Sequence, residues 1–275
     1  MTQPGAAVKP RGPYGVTCSA EYIGRMSLCL PTPASLLGHL ASQCAVCRSW
    51  PSPQVCAACL RRFAGMRPRC RSCALELPAD LSLGRGTPST QCPACLTHPA
   101  VLDHCFAALP YAYPWSQLIA QYKYTSRTGW APFFARLLLQ LPGTAELLAG
   151  LDTADLLLPM PLAAERLESR GFNQAWELAC ALHRLSGSRA ARDARVLLRL
   201  RHTRAQSQLK RRERLDNVKG AFAVDPLRLA LVQGRHVVLV DDVMTSGASL
   251  FTAARALRAA GARQVSALVV ARTEH

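Results

Sequence analysis

The chain is short of acid. Seventeen Asp and Glu stand against 33 Lys and Arg, for a formal net charge of +16. Residues 1–110 carry net +6 and residues 192–219 net +7, whereas 111–191 and 220–275 contribute only +1 and +2. Such basic zones attract polyanions, either nucleic acid or a pyrophosphate-bearing ligand. A merely solvated basic face is the plain alternative for each. Long apolar runs are also missing: no segment offers the roughly 18 uninterrupted apolar residues of a membrane-crossing helix. The opening MTQPGAAVKPRGPYGV lacks the apolar core of a secretory signal. A cytoplasmic location is therefore the expectation. Residues 1–39 are expected to be disordered or variable, with Met26 a candidate natural start. No G-x-x-x-x-G-K occurs, which excludes the nucleoside-triphosphate P-loop, and no G-x-G-x-x-G follows a strand, which excludes the dinucleotide fingerprint. His183, His202 and His236 have no paired ligand spacing and receive no role.

Cysteine, by contrast, is abundant. Eight of the twelve cysteines form four C-x-x-C pairs: Cys44/Cys47, Cys56/Cys59, Cys70/Cys73 and Cys92/Cys95. With no secretory signal, metal is a better reading than disulfides. Two C-x-x-C turns supply the four thiolates of a tetrahedral structural zinc site, so four pairs suit two zinc ions. Short loops cost less entropy to close, which favours pairing in sequence order; a crossed pairing of first with third stays open. A redox role is the weaker alternative, since one dithiol needs fewer pairs. Apolar residues are few between the pairs, so metal is expected to supply most of the folding free energy there. Cys18 and Cys29 lack such spacing, and Cys105 and Cys180 read as small core residues. Arg61, Arg62, Arg67, Arg69 and Arg71 lie on and between the pairs. Beside them Trp50 and Phe63 are candidates for stacking on bases of a single-stranded nucleic acid.

The most informative stretch is HVVLVDDVMTSGAS at 236–249. An apolar strand ends in two carboxylates, Asp241 and Asp242. A small-residue turn follows, with Thr245, Ser246, Gly247, Ala248 and Ser249, and then a helix begins. Carboxylates at a strand end suit ribose hydroxyls, which are donors. A phosphate suits the N–H groups that a helix start leaves unbonded. Gly247 permits close backbone approach. Either half alone is commonplace, an acidic strand end or a helix cap; their immediate succession is specific.

Elsewhere strands are expected at 105–113, 154–160, 196–200, 220–224, 235–241 and 264–271, and helices at 115–124, 130–141 and 173–186, the last with Asn173 near its cap. After the loop, Leu250, Ala254, Leu257 and Gly261 share one helical face. The polar stretch 201–217 is expected to be a mobile loop. Alternating strands and helices imply an α/β fold with a parallel sheet and a ligand at the carboxyl ends of its strands. Residues 1–39 are expected to form the variable segment, 40–104 a cysteine-rich zinc-ribbon region and 105–275 the α/β domain.

The 236–249 loop resembles the phosphoribosyl pyrophosphate (PRPP) loop of type I phosphoribosyltransferases. Three further stretches, YKYTSRTG at 122–129, LPMPLAAERLESRGFNQA at 158–175 and TRAQSQLKRRERLDNVKGAF at 203–222, carry the likeness to family level. Together with the cysteine pairs they resemble the ComF/GntX family of phosphoribosyltransferase-like proteins tied to natural transformation, over roughly residues 40–272. The resemblance implies a type I phosphoribosyltransferase-like parallel sheet with flanking helices behind an amino-terminal double zinc ribbon. It places Asp241 and Asp242 at the ribose hydroxyls, directly or through Mg²⁺, and 245–249 around the 5′-phosphate. Met160 and Pro161 fall at the pyrophosphate turn, with Arg166, Arg170 and Lys123 near the same anion. Lys210, Arg211 and Arg212 are candidates either for that anion or for nucleic acid. The implied activity is Mg²⁺-dependent transfer from PRPP to an unidentified acceptor, in the context of DNA uptake. The alternative is a non-catalytic accessory protein binding single-stranded DNA. A competence helicase or DNA channel is a partner implied by the family alone.

Overall fold

Residues 237–240 are apolar at every position, the pattern of a strand covered on both faces. In the computed structural model, which describes residues 42–78, 90–98, 101–124, 129–200 and 220–274, they lie in β5 (His236–Met244), inside a four-stranded parallel sheet. The segment 1–39, the polar stretch 201–217 with Lys210, Arg211 and Arg212, and Cys18 and Cys29 lie outside the described residues.

The sheet runs β1 (His104–Pro110), β6 (Gln264–Arg272), β5, β2 (Leu156–Pro159). Side chains alternate across it, and each set meets its own layer. On one face Leu158, Val237, Leu239, Val265 and Val269 pack with Leu250, Ala254 and Leu257 of a C-terminal helix (Ala248–Ala259) and with Cys70, Cys73 and Cys92. On the other, Leu157, Val238, Val240, Leu268 and Val270 pack with three helices and with Cys44 and Cys59. Those helices span Trp115–Tyr124, Trp130–Leu139 and Gln174–Ser186. Tyr122, Trp130, Phe134 and Phe172 form a stacked and tilted aromatic group beneath that face. Packing against the sheet thus helps to hold the cysteine pairs in place. Each group is wedged into a core of the sheet, an apolar contribution that the sparse local sequence does not advertise.

In chain order the helices are α1 (Ala57–Phe63), α2 (Pro93–Thr97), α3 (Trp115–Tyr124), α4 (Trp130–Leu139), α5 (Thr144–Ala149), α6 (Ala164–Arg170), α7 (Gln174–Ser186), α8 (Leu229–Val232) and α9 (Ala248–Ala259). A short antiparallel pair, β3 (Leu197–Arg199) and β4 (Phe222–Val224), flanks the sheet.

One boundary differs instructively from the sequence expectation. β5 does not stop at Asp241; Val243 and Met244 go on pairing with Ala271 and Arg272 of β6. On its other side β2 ends with Pro159 opposite Val240. The acidic pair therefore sits where β5 keeps one neighbour and loses the other. That step in the sheet edge opens the site.

Candidate functional site

The two cysteine groups are built alike. In each, the first C-x-x-C closes a turn followed by a residue with positive φ, Arg48 (65°) and Ala74 (55°). The Arg48 and Ala74 N–H groups donate to the carbonyls of Cys44 and Cys70, at 3.0 and 2.8 Å. The second C-x-x-C begins at a helix N-cap, Cys56 for α1 and Cys92 for α2. The N–H of Cys56 donates to Cys44 Sγ, and that of Cys92 to Cys70 Sγ, both at 3.3 Å. The groupings are Cys44, Cys47, Cys56, Cys59 and Cys70, Cys73, Cys92, Cys95, the sequence-order pairing, with sulfurs within 4.8 Å of one another. Cys47–Cys56 and Cys73–Cys92 stand at 3.6 Å, and Cys44–Cys59 at 4.0 Å. A zinc ion with Zn–S bonds of about 2.3 Å requires tetrahedral sulfurs about 3.8 Å apart. Each cluster can therefore hold a structural zinc. The hydrogen bond from Cys73, with N–H donors from Cys92 and its neighbours, draws Cys70 down to about 4. At Cys44 burial opposes the thiolate, but the N–H groups of Cys56, Cys47 and Val46 bring it to about 6. Thiolate is the form that binds metal.

Cys105 is buried as expected, and burial pushes its thiol up to about 12. Cys180 is only half-buried, because it lies off the buried stripe of α7.

The step in the sheet opens into a cavity of about 200 Å³. Its floor carries Asp241 and Asp242 of β5 and Lys123 from the end of α3. Lys123 Nζ stands 3.1 Å from Asp242 Oδ2, yet that buried oxygen has no hydrogen-bond partner, so the pair is ionic without hydrogen-bond alignment. Burial opposes the Lys123 ammonium, and Asp242 and Asp241 more than offset it, holding its pKa above the ordinary lysine value. Burial, then the like charge of Asp242, pushes the Asp241 carboxyl up to about 7.

Thr245, Gly247, Ala248 and Ser249, where β5 turns into α9, also line the cavity. Gly247 has φ +81°, and a Cβ there would come within 2.5 Å of Met244 Cε and 2.6 Å of the Phe251 ring. Only glycine fits. It is also the N-cap of α9 and brings no capping side chain of its own to the helix start, the end of a helix that suits an anion. Ser246 does not line the cavity; its Oγ accepts a long 3.4 Å bond from the Ala248 N–H.

Met160 and Pro161, just past β2, line it too, with Arg166 and Arg170 of α6. The turn is fixed from both sides: Met160 N–H donates to the Val240 carbonyl at 2.8 Å, and Asn173 Nδ2 to the Met160 carbonyl at 3.1 Å. Asn173 meanwhile caps α7 through its Oδ1. Arg170 donates to Gln174 Oε1 at 3.0 Å and lies over the Tyr124 ring. Gln174, part of the 158–175 stretch, lines the same cavity, as do Tyr111 and Arg199, which the sequence reading does not single out. Arg199 lies in the basic zone 192–219, whose charge was the available signal. Tyr111 carries no such signal, because only the topology brings it to this edge. Burial, with Arg166 close by, holds the Arg199 pKa below the ordinary arginine value.

Of the arginines considered for nucleic acid, Arg61 and Arg62 are exposed on α1, Arg62 lying over the Phe63 ring. Arg69 is instead largely buried and held by Glu274 at 2.7 Å. Arg67 is paired with Glu76 at 2.8 Å. Trp50 is 71% exposed, whereas Phe63 is half-buried with its edge against Tyr113. His236 is a core residue, bonded to Ser266 at 3.0 Å. No helix among the described residues is long and apolar enough to cross a membrane.

A parallel sheet, an acidic pair at its carboxyl edge and a glycine turn leading into a helix after it define a phosphoribosyltransferase-type protein. Residues 192–275 match the family Phosphoribosyl transferase domain. The chain is 36% identical over 225 residues, 82% of its length and 91% of the relative's, to the DNA utilization protein YhgH of Salmonella typhi. It is 28% identical over 218 residues, 79% and 90%, to Competence protein F of Haemophilus influenzae, and 37% identical over 123 residues, 44% and 46%, to Competence protein ComFC of Bacillus subtilis. The chain belongs to the ComF family of competence and DNA utilization proteins.

Proposed function

We propose that the cavity binds PRPP and that the protein transfers its phosphoribosyl group to a nitrogen acceptor. One observation carries this reading. A single cavity is lined by the carboxylates of Asp241 and Asp242, by the start of α9 and by Arg166, Arg170 and Arg199, and those are the complements of a ribose, a 5′-phosphate and a pyrophosphate.

Asp241 and Asp242 accept from the ribose hydroxyls, and the N–H groups of 247–249 take the phosphate. Arg166, Arg170 and Arg199 meet the pyrophosphate, where negative charge grows as the bond to the anomeric carbon breaks and the acceptor nitrogen bonds in its place. Lys123 sets its ammonium 3.1 Å from Asp242 Oδ2 and so adds a positive charge beside the acidic pair. Mg²⁺ brought in with PRPP would neutralise pyrophosphate charge. The donors fit such an ion at Asp241 and at the ligand's own oxygens, since Lys123 already occupies the approach to Asp242 Oδ2. The test is pyrophosphate release from PRPP across a panel of nucleobases and amines. Turnover abolished by Asp241→Asn with Asp242→Asn supports transfer; PRPP bound without turnover on any acceptor reduces the site to a binding one.

A second reading, an accessory protein for single-stranded DNA, is favoured by exposed Trp50 beside the first cysteine cluster and by exposed Arg61 and Arg62. The relatives' names, competence and DNA utilization, point the same way. It predicts salt-sensitive, sequence-tolerant binding weakened by charge reversal at Arg61 and Arg62. Unchanged binding in that variant would remove it.

A further inference from the structure

The second cysteine cluster and the phosphate loop share one side chain. Arg272, the last residue of β6, is 5% exposed. Its Nε donates to the Cys73 carbonyl at 3.0 Å. Its Nη1 donates to the carbonyls of Met244 at 3.2 Å, Thr273 at 2.7 Å and Thr245. One buried cation thus spans from a metal-site cysteine to the first residues of the loop. The joint has further ties: Thr273 N–H to the Met244 carbonyl at 3.0 Å, Cys105 N–H to the Arg71 carbonyl at 2.7 Å, and Glu76 N–H to Glu274 at 3.1 Å.

The direction of these bonds matters. A trans peptide points its N–H opposite to its carbonyl. With the Met244 and Thr245 carbonyls turned onto Arg272, the N–H groups of Thr245 and Ser246 are aimed away from it. Successive N–H groups facing one way make an anion-binding concavity, here continuous with the start of α9. On the other side, four thiolates around one zinc carry net negative charge, which suits a cation on the Cys73 carbonyl.

We propose that Arg272 is a positioning residue that ties the phosphate loop to the second cluster. Zinc at Cys70, Cys73, Cys92 and Cys95 then sets the affinity for the 5′-phosphate without either group touching the ligand. This rests on the phosphoribosyl reading above. The test titrates the zinc-loaded full chain by calorimetry with two probes, ribose 5-phosphate and Mg²⁺-pyrophosphate. The proteins are wild type, Arg272→Lys, Arg272→Met and Cys95→Ser. Each variant is expected to bind ribose 5-phosphate at least tenfold more weakly and to exchange the amides of 245–249 faster, with pyrophosphate affinity within twofold of wild type. Lysine is expected to fail because one ammonium cannot reproduce the guanidinium fork across two segments. Wild-type affinity for ribose 5-phosphate in Arg272→Met or Cys95→Ser overturns the coupling and leaves the phosphoribosyl reading standing. Equal loss of both probes signals general unfolding and also counts against it. Should those two variants not fold, Arg272→Lys decides. A wild type that binds pyrophosphate but not ribose 5-phosphate overturns both ideas.

Discussion

Asp241 shows at the residue scale how this site is strained for its task. Its carboxyl keeps a proton up to about pH 7, against an ordinary value of 3.8, because burial and Asp242 both disfavour the charge. Below the ordinary value it is protonated whether the chain is folded or not. As pH rises toward about 7, only the unfolded chain releases the proton, so this group's contribution to stability is lost through that window. Asp241→Asn is therefore expected to raise Tm by a few degrees at pH 8 and to leave it unchanged near pH 3. Thermal melts at the two pH values check this; an unchanged or lower Tm at pH 8 contradicts it. On the proposed function, the same titration is expected to strengthen Mg²⁺-dependent PRPP binding as pH rises through about 7, which titrations at pH 6 and pH 8 check. Gly247 is the second diagnostic residue. Alanine there meets both a left-handed φ and a 2.5 Å contact, so Gly247→Ala should cost at least about 1–2 kcal/mol by urea denaturation and reduce ligand binding. The acidic pair and this glycine were legible in the sequence because they are contiguous. Arg272 was not, because the register of β5 with β6 brings it to Met244 and Thr245 and only the packing of the second cluster brings Cys73 to it.

At the scale of elements, the strongly patterned ones were read well. The helices α3, α4 and α7 and the strands β1, β5 and β6 carry apolar periodicity, and each appeared within a few residues of its expected bounds. α6 was missed for a physical reason: none of its residues is buried, so it has no apolar stripe to read. α1 and α2 were missed because their starts are cysteines, whose metal spacing hides their capping role. The cap of α7 tests the coupling of element to site. Asn173 serves both the helix start and the Met160 carbonyl. Asn173→Ala should therefore cost about 1 kcal/mol or more and also weaken pyrophosphate binding, whereas a plain cap would show only the stability loss. For the cysteine elements, metal analysis of the purified chain should find two zinc ions. Cys59→Ser should lose one ion and lower Tm, because Cys59 is both a ligand candidate and part of the core under α3 and α4. Full metal retention in that variant would contradict the first cluster.

For the whole molecule, the sheet lies between two cysteine clusters, one in each of its two cores. Composition and spacing made an α/β sheet and two four-cysteine groups legible. They did not show that the groups are built into the domain, since burial of a cysteine against a distant strand leaves no local pattern. The central claim is that the cavity at the edge of β5 is a working phosphoribosyl site. It is tested most directly by calorimetric titration of the zinc-loaded protein with Mg²⁺ and PRPP, wild type against Asp241→Asn with Asp242→Asn. Saturable binding in the wild type, lost in the double variant, is the predicted result. No binding by the wild type, or equal binding by both proteins, would contradict it.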